Sequence, residues 1–154
     1  MPDFLETTVD KFIFKVASDR HYTSEGVWAA PLDLTEGRAL KVRVGVSDFL
    51  QQRSGDVAFV EVRPVGTRLS AGDEIASLET IKVDVSLASP VSGTIVGVNQ
   101  AACDAPDVIN REPYGAGWLA VVDVTDWPAD RARLLDPQAY FSLMKGQAEA
   151  EMLA

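Results

Sequence analysis

The sequence predicts a mainly β protein, a small sandwich or flattened barrel with short flanking helices and a C-terminal helix. Three observations lead there. From Asp56 onward the chain breaks into short β-favourable runs, each closed by glycine or proline, which is the punctuation of compact all-β folds. A strongly apolar run, Trp118-Leu119-Ala120-Val121-Val122-Asp123-Val124, reads as a central strand. Beyond it the pattern turns helical, with Tyr140, Leu143 and Met144 spaced i, i+3 and i+4 so that they can dock on the barrel.

In chain order, residues 1–10 are polar and mixed and read as a loosely held extension. Phe12-Ile13-Phe14-Lys15-Val16 is rich in strand formers and makes a first edge strand. The stretch from Ala29 to Gly37 reads as a loop or hairpin turn with Gly37 at its tip. Leu40 to Val44 alternates apolar and basic side chains, the period of a half-buried strand. Ser47 to Arg53 fits a short helix, with Ser47 capping its first amides and Gly55 just past its end. Val57 to Val62 is a strand ended by Pro64 and Gly66, followed by the short piece Thr67-Arg68-Leu69 and a turn at Ser70-Ala71-Gly72-Asp73. Glu74 to Thr80 and Val83 to Ser89 read as paired strands joined by Ile81-Lys82, and Pro90-Val91-Ser92-Gly93 turns the chain into Thr94 to Val98. Asn99 to Asn110 is polar, with a helical turn within it. Pro128 to Leu135 and the stretch from Asp136 onward are helices; Asp136 caps the second and Pro137 suits its first position. Past Gly146 the tail is expected to fray.

The chain has 154 residues and a formal charge of -9, which leaves no basic surface to displace counterions from nucleic-acid phosphates. The acidity concentrates after residue 100, where nine acids face four bases. Such a surface suits docking onto basic partners. Cys103 is the one cysteine, so no internal disulfide forms and a reducing compartment fits; its expected place is a small packed residue. No apolar run is long enough to span a membrane. The start, Met1 to Glu6, lacks the basic and apolar regions of a secretory signal, and a cytoplasmic setting is expected.

Enzyme chemistry is poorly provided for. With His21 the single histidine and Cys103 distant from it, neither a metal cluster nor a Cys–His pair is suggested. No Gly-x-Ser-x-Gly elbow or phosphate loop is present. Tyr114-Gly115-Ala116-Gly117-Trp118 reads as a glycine turn into the last strand. The chemistry that remains is an amine. Between Lys41 and Lys145 the chain has one lysine, Lys82, against seven arginines, and only lysine offers a primary amine for acylation. Ile81-Lys82 is poor turn chemistry, since tight hairpins prefer residues that tolerate positive φ. Glu79 and Asp84 nearby favour the charged amine over a Schiff-base role, so Lys82 is a modified residue rather than a catalytic one.

Several segments resemble the H protein of the glycine cleavage system: Gly55-Asp56-Val57-Ala58-Phe59-Val60-Glu61-Val62, Pro64-Val65-Gly66, Ala71-Gly72-Asp73, Glu79-Thr80-Ile81-Lys82, Ser89-Pro90-Val91-Ser92-Gly93, and Asn110-Arg111-Glu112-Pro113-Tyr114-Gly115-Ala116-Gly117-Trp118-Leu119. The resemblance runs from about Val42 to Tyr140. It implies a single lipoyl/biotinyl-type domain, a barrel-sandwich hybrid with an extension over 1–11, a lipoyl core of about 40–125 and C-terminal helices of about 128–146. It implies a non-catalytic, monomeric carrier with lipoate in amide linkage on Lys82, and with Glu79 and Gly93 as positions by which a lipoate-attaching enzyme recognises its target. Biotin carriers have Met on both sides of the lysine, where this chain has Ile81 and Val83.

One departure bears on the load. Where H proteins have Tyr-Thr/Ser-x-x-His-Glu-Trp, this chain has Tyr22-Thr23-Ser24-Glu25-Gly26-Val27-Trp28. Gly26 and Val27 stand in place of a His and a Glu able to hold a charged aminomethyl group. In this the chain resembles the H-like lipoate-binding proteins of bacterial sulfur oxidation. That branch implies a sulfur-bearing arm working with a heterodisulfide-reductase-like complex; the alternative is an aminomethyl carrier serving the glycine cleavage enzymes.

Overall fold

The structure, a computed structural model, describes residues 3–35 and 38–153. Two strands open it, β1 (Phe4–Val9) and β2 (Phe12–Ala17), paired antiparallel from Phe4↔Ala17 to Val9↔Phe12. The sequence reading of a loose extension is corrected here: along β1 the side chains of Leu5, Thr7 and Val9 are progressively covered while Phe4, Glu6 and Thr8 face out, the period of a strand with one buried face. Asp10 turns the hairpin at φ 57°, a backbone region in which Asp is tolerated.

Next come β3 (His21–Tyr22), β4 (Val27–Thr35) and β5 (Arg38–Val46). The stretch from Ala29 is therefore strand, not loop; the turn placed at Gly37 lies outside the described residues. Pro31 is tolerated within β4 because two-residue β3 pairs only with Trp28 and Ala29 and, among the described residues, leaves β4 unpaired on that side beyond them. Helix α1 (Asp48–Ser54) is capped as expected: the Ser47 hydroxyl accepts from the Leu50 amide, and Gly55 closes the end at φ 92°.

The remaining strands are β6 (Val57–Val62), β7 (Arg68–Leu69), β8 (Glu74–Thr80), β9 (Asp84–Ala88), β10 (Gly93–Val98) and β11 (Ala120–Val124). They form two sheets among the described residues, of order β3-β4-β5-β11-β10-β7 and β6-β8-β9, beside the separate β1–β2 hairpin. Strand β11 is central, between β5 and β10. The polar stretch after Val98 holds two short helices rather than one turn, α2 (Gln100–Asp104) and α3 (Asp107–Arg111).

Helices α4 (Trp127–Arg133) and α5 (Pro137–Leu153) end the chain. The Asp136 carboxylate accepts from the Ala139 amide. Contrary to the expected fraying, α5 runs on through Gly146, because Ala148 is buried with Val9, Phe14, Phe49, Tyr140 and Met144 in a second core. The first core lies between the sheets, around Val44, Leu78, Leu87, Ile95 and Val122. The expected face of α5 splits: Tyr140 and Met144 are buried, whereas Leu143 faces outward.

Candidate functional site

The β8–β9 hairpin carries Lys82 at an exposed tip. The tip is three residues, Ile81-Lys82-Val83, one longer than the sequence suggested, with Glu79 opposite Asp84 at its neck. No described residue in it has positive φ. The side chain of Thr80 replaces turn-forming residues: its hydroxyl accepts from the amides of Lys82 (3.2 Å) and Val83 (3.0 Å) and donates to the Val83 carbonyl (2.8 Å). The Thr80 amide also donates to that carbonyl at 2.9 Å. Sequence reasoning passed over Thr80; the available signal was a hydroxyl just before a glycine-free turn, the setting of an ST-turn.

The lysine stem lies along Gly55. A β-carbon there would stand 3.4 to 3.6 Å from the Lys82 methylenes. Gly55 is held in turn by Asn110, whose amide nitrogen donates to the Gly55 carbonyl and to Gln51 Oε1, both at 3.0 Å, while its oxygen accepts from the Val57 amide at 2.9 Å. Thus Asn110 positions the ledge on which Lys82 rests. Farther along the same segment, Gly117 admits no side chain because a β-carbon would press on the Val108 and Glu112 carbonyls at 2.7 Å. That is a packed turn into β11, as read from the sequence.

Beside the hairpin runs a cleft of about 700 Å³ between β9, α1 and α5. Val27, Leu50, Leu87 and Leu143 give it apolar walls, and Glu25, Arg53, Asp84 and Gln147 bring polar groups to it. The outward turn of Leu143 is explained by this cleft. A smaller cavity of about 240 Å³ adjoins Lys82 on the side of the β1–β2 hairpin.

Glu79 is exposed at the hairpin neck, while Gly93 is buried at the start of β10, opposite Val124. Glu79 therefore shares the exposed hairpin with Lys82, whereas Gly93 does not. A β-carbon at Gly93 would overlap the Asp123 carbonyl, so close approach of β10 and β11 accounts for glycine there.

Gly26 and Val27 are both buried. Gly26 has φ 95°, and a β-carbon on it would come within 2.8 Å of both Ser47 Oγ and Tyr140 Oη, which hydrogen-bond to each other at 2.8 Å. Any side chain at 26 thus conflicts with the seat of α5 on α1. Burial raises the Tyr140 hydroxyl to about 12, partly offset by the Ser47 hydrogen bond, so it remains a neutral partner. Tyr22 stacks on Tyr140 with ring centroids 4.4 Å apart.

The other reactive side chains stand apart. His21 lies edge-on to Trp127, with Nδ1 buried and without a hydrogen-bond partner; desolvation, then Arg131, lowers its pKa. Burial, then Asp104, raises the Cys103 thiol. Among the described residues no cluster of three or more His, Cys, Asp or Glu side chains is placed to hold a metal, and no helix is long and apolar enough to cross a membrane.

Comparison with known proteins agrees with the fold. Residues 21–147 match the family model described as "Glycine cleavage H-protein". The "Glycine cleavage system H protein" of Chlorobium limicola is 40% identical over 129 residues, covering 84% of this chain and 97% of that one. "Glycine cleavage system H protein 4" of Aquifex aeolicus is 36% identical over 138 residues, covering 90% of this chain and 77% of its own. The crystal structure of a glycine cleavage system H protein from Mycobacterium marinum superposes with a TM-score of 0.72 at 37% identity, over 82% of this chain and 97% of that chain.

Proposed function

The chain belongs to the glycine cleavage H-protein family, whose members are non-catalytic carriers with lipoate on a lysine, and from that premise we propose that Lys82 is the attachment site and that its arm carries the aminomethyl group of the glycine cleavage system. The observation that carries the reading is an exposed lysine on a hydroxyl-locked hairpin beside a cleft of about 700 Å³. The residues fit the group: the tip admits an attaching enzyme, and the cleft offers apolar walls to the chain and polar groups to its load. Glu79, exposed opposite Asp84, serves the attaching enzyme directly. Gly93 serves it through the shape of the sheet.

Attached lipoate supplies a dithiolane that can be opened, loaded on one sulfur and closed again by oxidation. The protein holds and shields; the bond-making belongs to cofactor and partner enzymes. The missing His-Glu pair does not empty the cleft of negative charge, because Glu25 and Asp84 line it. Two carboxylates beside a cationic amine favour its charged form, which is what an aminomethyl load requires.

The competing reading is a sulfur-loaded arm serving a heterodisulfide-reductase-like complex, and it rests on Gly26 and Val27 in place of the His-Glu pair, the intact lysine hairpin and the extra N-terminal residues. The named relatives give it no support. One experiment separates the two: lipoylated protein is incubated with glycine decarboxylase and glycine, and the arm is analysed by intact mass. Aminomethyl loading supports the proposal. Full lipoylation with no loading overturns the glycine reading and favours the sulfur one.

A further inference from the structure

Resting on Lys82 as the attachment site, we propose that the N-terminal hairpin builds a second berth for the lipoyl arm, an aromatic pocket separate from the cleft along β9. Lys82 itself lines the cavity of about 240 Å³, together with Phe12, Phe14, Phe49, Gln52 and Ala148. Phe14 meets Phe49 edge to face with centroids 5.4 Å apart, and Phe12 continues the row 6.4 Å from Phe14. Arg53 and Glu151, paired at 3.0 Å, also border it. Arg53 lines the larger cleft as well, so its side chain borders both spaces. The arm therefore starts at their junction, its stem laid on Gly55.

Acylation determines the occupant. An unmodified ammonium keeps its hydration and stays at the mouth, because burying an unpaired charge is costly. Converting it to a neutral amide removes that barrier and adds an apolar chain ending in two sulfurs. Sulfur against aromatic ring edges is favourable, and the pocket offers three rings. The larger cleft, bordered by Glu25 and Asp84, suits a charged load instead. The empty, oxidised arm thus rests among the phenylalanines and moves to the cleft when loaded.

The origin of the walls points the same way. Phe12 and Phe14 precede the family match over 21–147, and Ala148 and Glu151 follow it. Segments from both sides of that match converge on the one lysine of the central span. Phe12 remains 47% exposed, an apolar rim that the hairpin's own folding leaves uncovered.

The test uses lipoylated full-length protein carrying isotope-labelled phenylalanine, valine and leucine, with occupancy set by intact mass. Proton cross-relaxation between the oxidised arm and the rings of Phe12 and Phe14 is the expected result. Phe12→Ser, at a half-exposed position that spares the core, removes it. Reduction of the dithiolane by a water-soluble phosphine then speeds up roughly threefold, the scale of one lost sulfur–aromatic contact. Cross-relaxation confined to Val85, Leu87 and Leu143, or absent altogether, in fully lipoylated protein overturns the berth and leaves the carrier reading standing. Absence of any lipoyl increment on Lys82 overturns both.

Discussion

At the scale of the residue, Lys82 was conspicuous in the sequence but the device that presents it was not. Counting lysines against arginines finds an isolated amine; it does not find Thr80, whose hydroxyl matters only once the turn closes on it. Thr80→Val keeps the shape and loses three hydrogen bonds. The expected outcome is a several-fold slower lipoylation with Tm little changed, because the tip is exposed and water replaces the lost bonds; Thr80→Ser restores the rate. Mass spectrometry of timed reactions with a lipoate-attaching enzyme measures both. Gly26 carries the opposite lesson. The sequence reading took its glycine as loss of a load-binding histidine, yet the backbone at φ 95° and the Ser47–Tyr140 contact leave no room for a side chain. Gly26→His is expected to destabilise by about 1–3 kcal/mol, read as a lowered urea midpoint, and not to improve aminomethyl loading. His21 gives a pH dependence. Its native pKa lies below the ordinary value of 6.5, so the unfolded chain binds the proton more readily. The stabilisation is fully present above about pH 6.5 and is lost as pH falls from there through the lower native value. Urea midpoints between pH 7.5 and 5.5 should fall for the native chain and flatten in His21→Phe.

At the scale of the element, the sheets were legible because alternation and glycine-proline punctuation record them locally. The capping of α1 and α5 was legible for the same reason. What failed were pieces whose order depends on distant partners. Strand β1 exists because β2 pairs with it and α5 covers it; the last turns of α5 exist because Ala148 meets the hairpin. Neither fact is written in its own segment, and Gly146 actively argued for a stop. That glycine is exposed mid-helix with open space where a β-carbon would go. Gly146→Ala is accordingly expected to stabilise by about 1 kcal/mol, seen as a rise in Tm. Asn110→Ala should do the reverse by about 1–3 kcal/mol, since it strands the Gly55 carbonyl and the Val57 amide.

At the scale of the whole molecule, two cores meet along α1. The sandwich core supports the lysine hairpin from below, and the second core, of hairpin, α1 and α5, stands beside it. This places Lys82 where the two cores meet. The carrier character was legible from motifs alone, because attachment needs a hairpin, a lysine and little else. The cleft was not, because the groups that line it, Glu25 and Asp84 among them, come from segments far apart in the chain.

The isolation of Lys82 also has an analytical consequence. Between Arg68 and Arg111 it is the one basic residue, and Cys103 lies in the same interval. Trypsin cleaves after lysine only while the amine is free. A denatured digest of unmodified chain therefore yields separate peptides ending at Lys82 and Arg111, whereas acylated chain yields one peptide running from Leu69 to Arg111. The cleavage pattern alone reports occupancy, and the uncleaved peptide brings the protein's single cysteine together with both sulfurs of the arm.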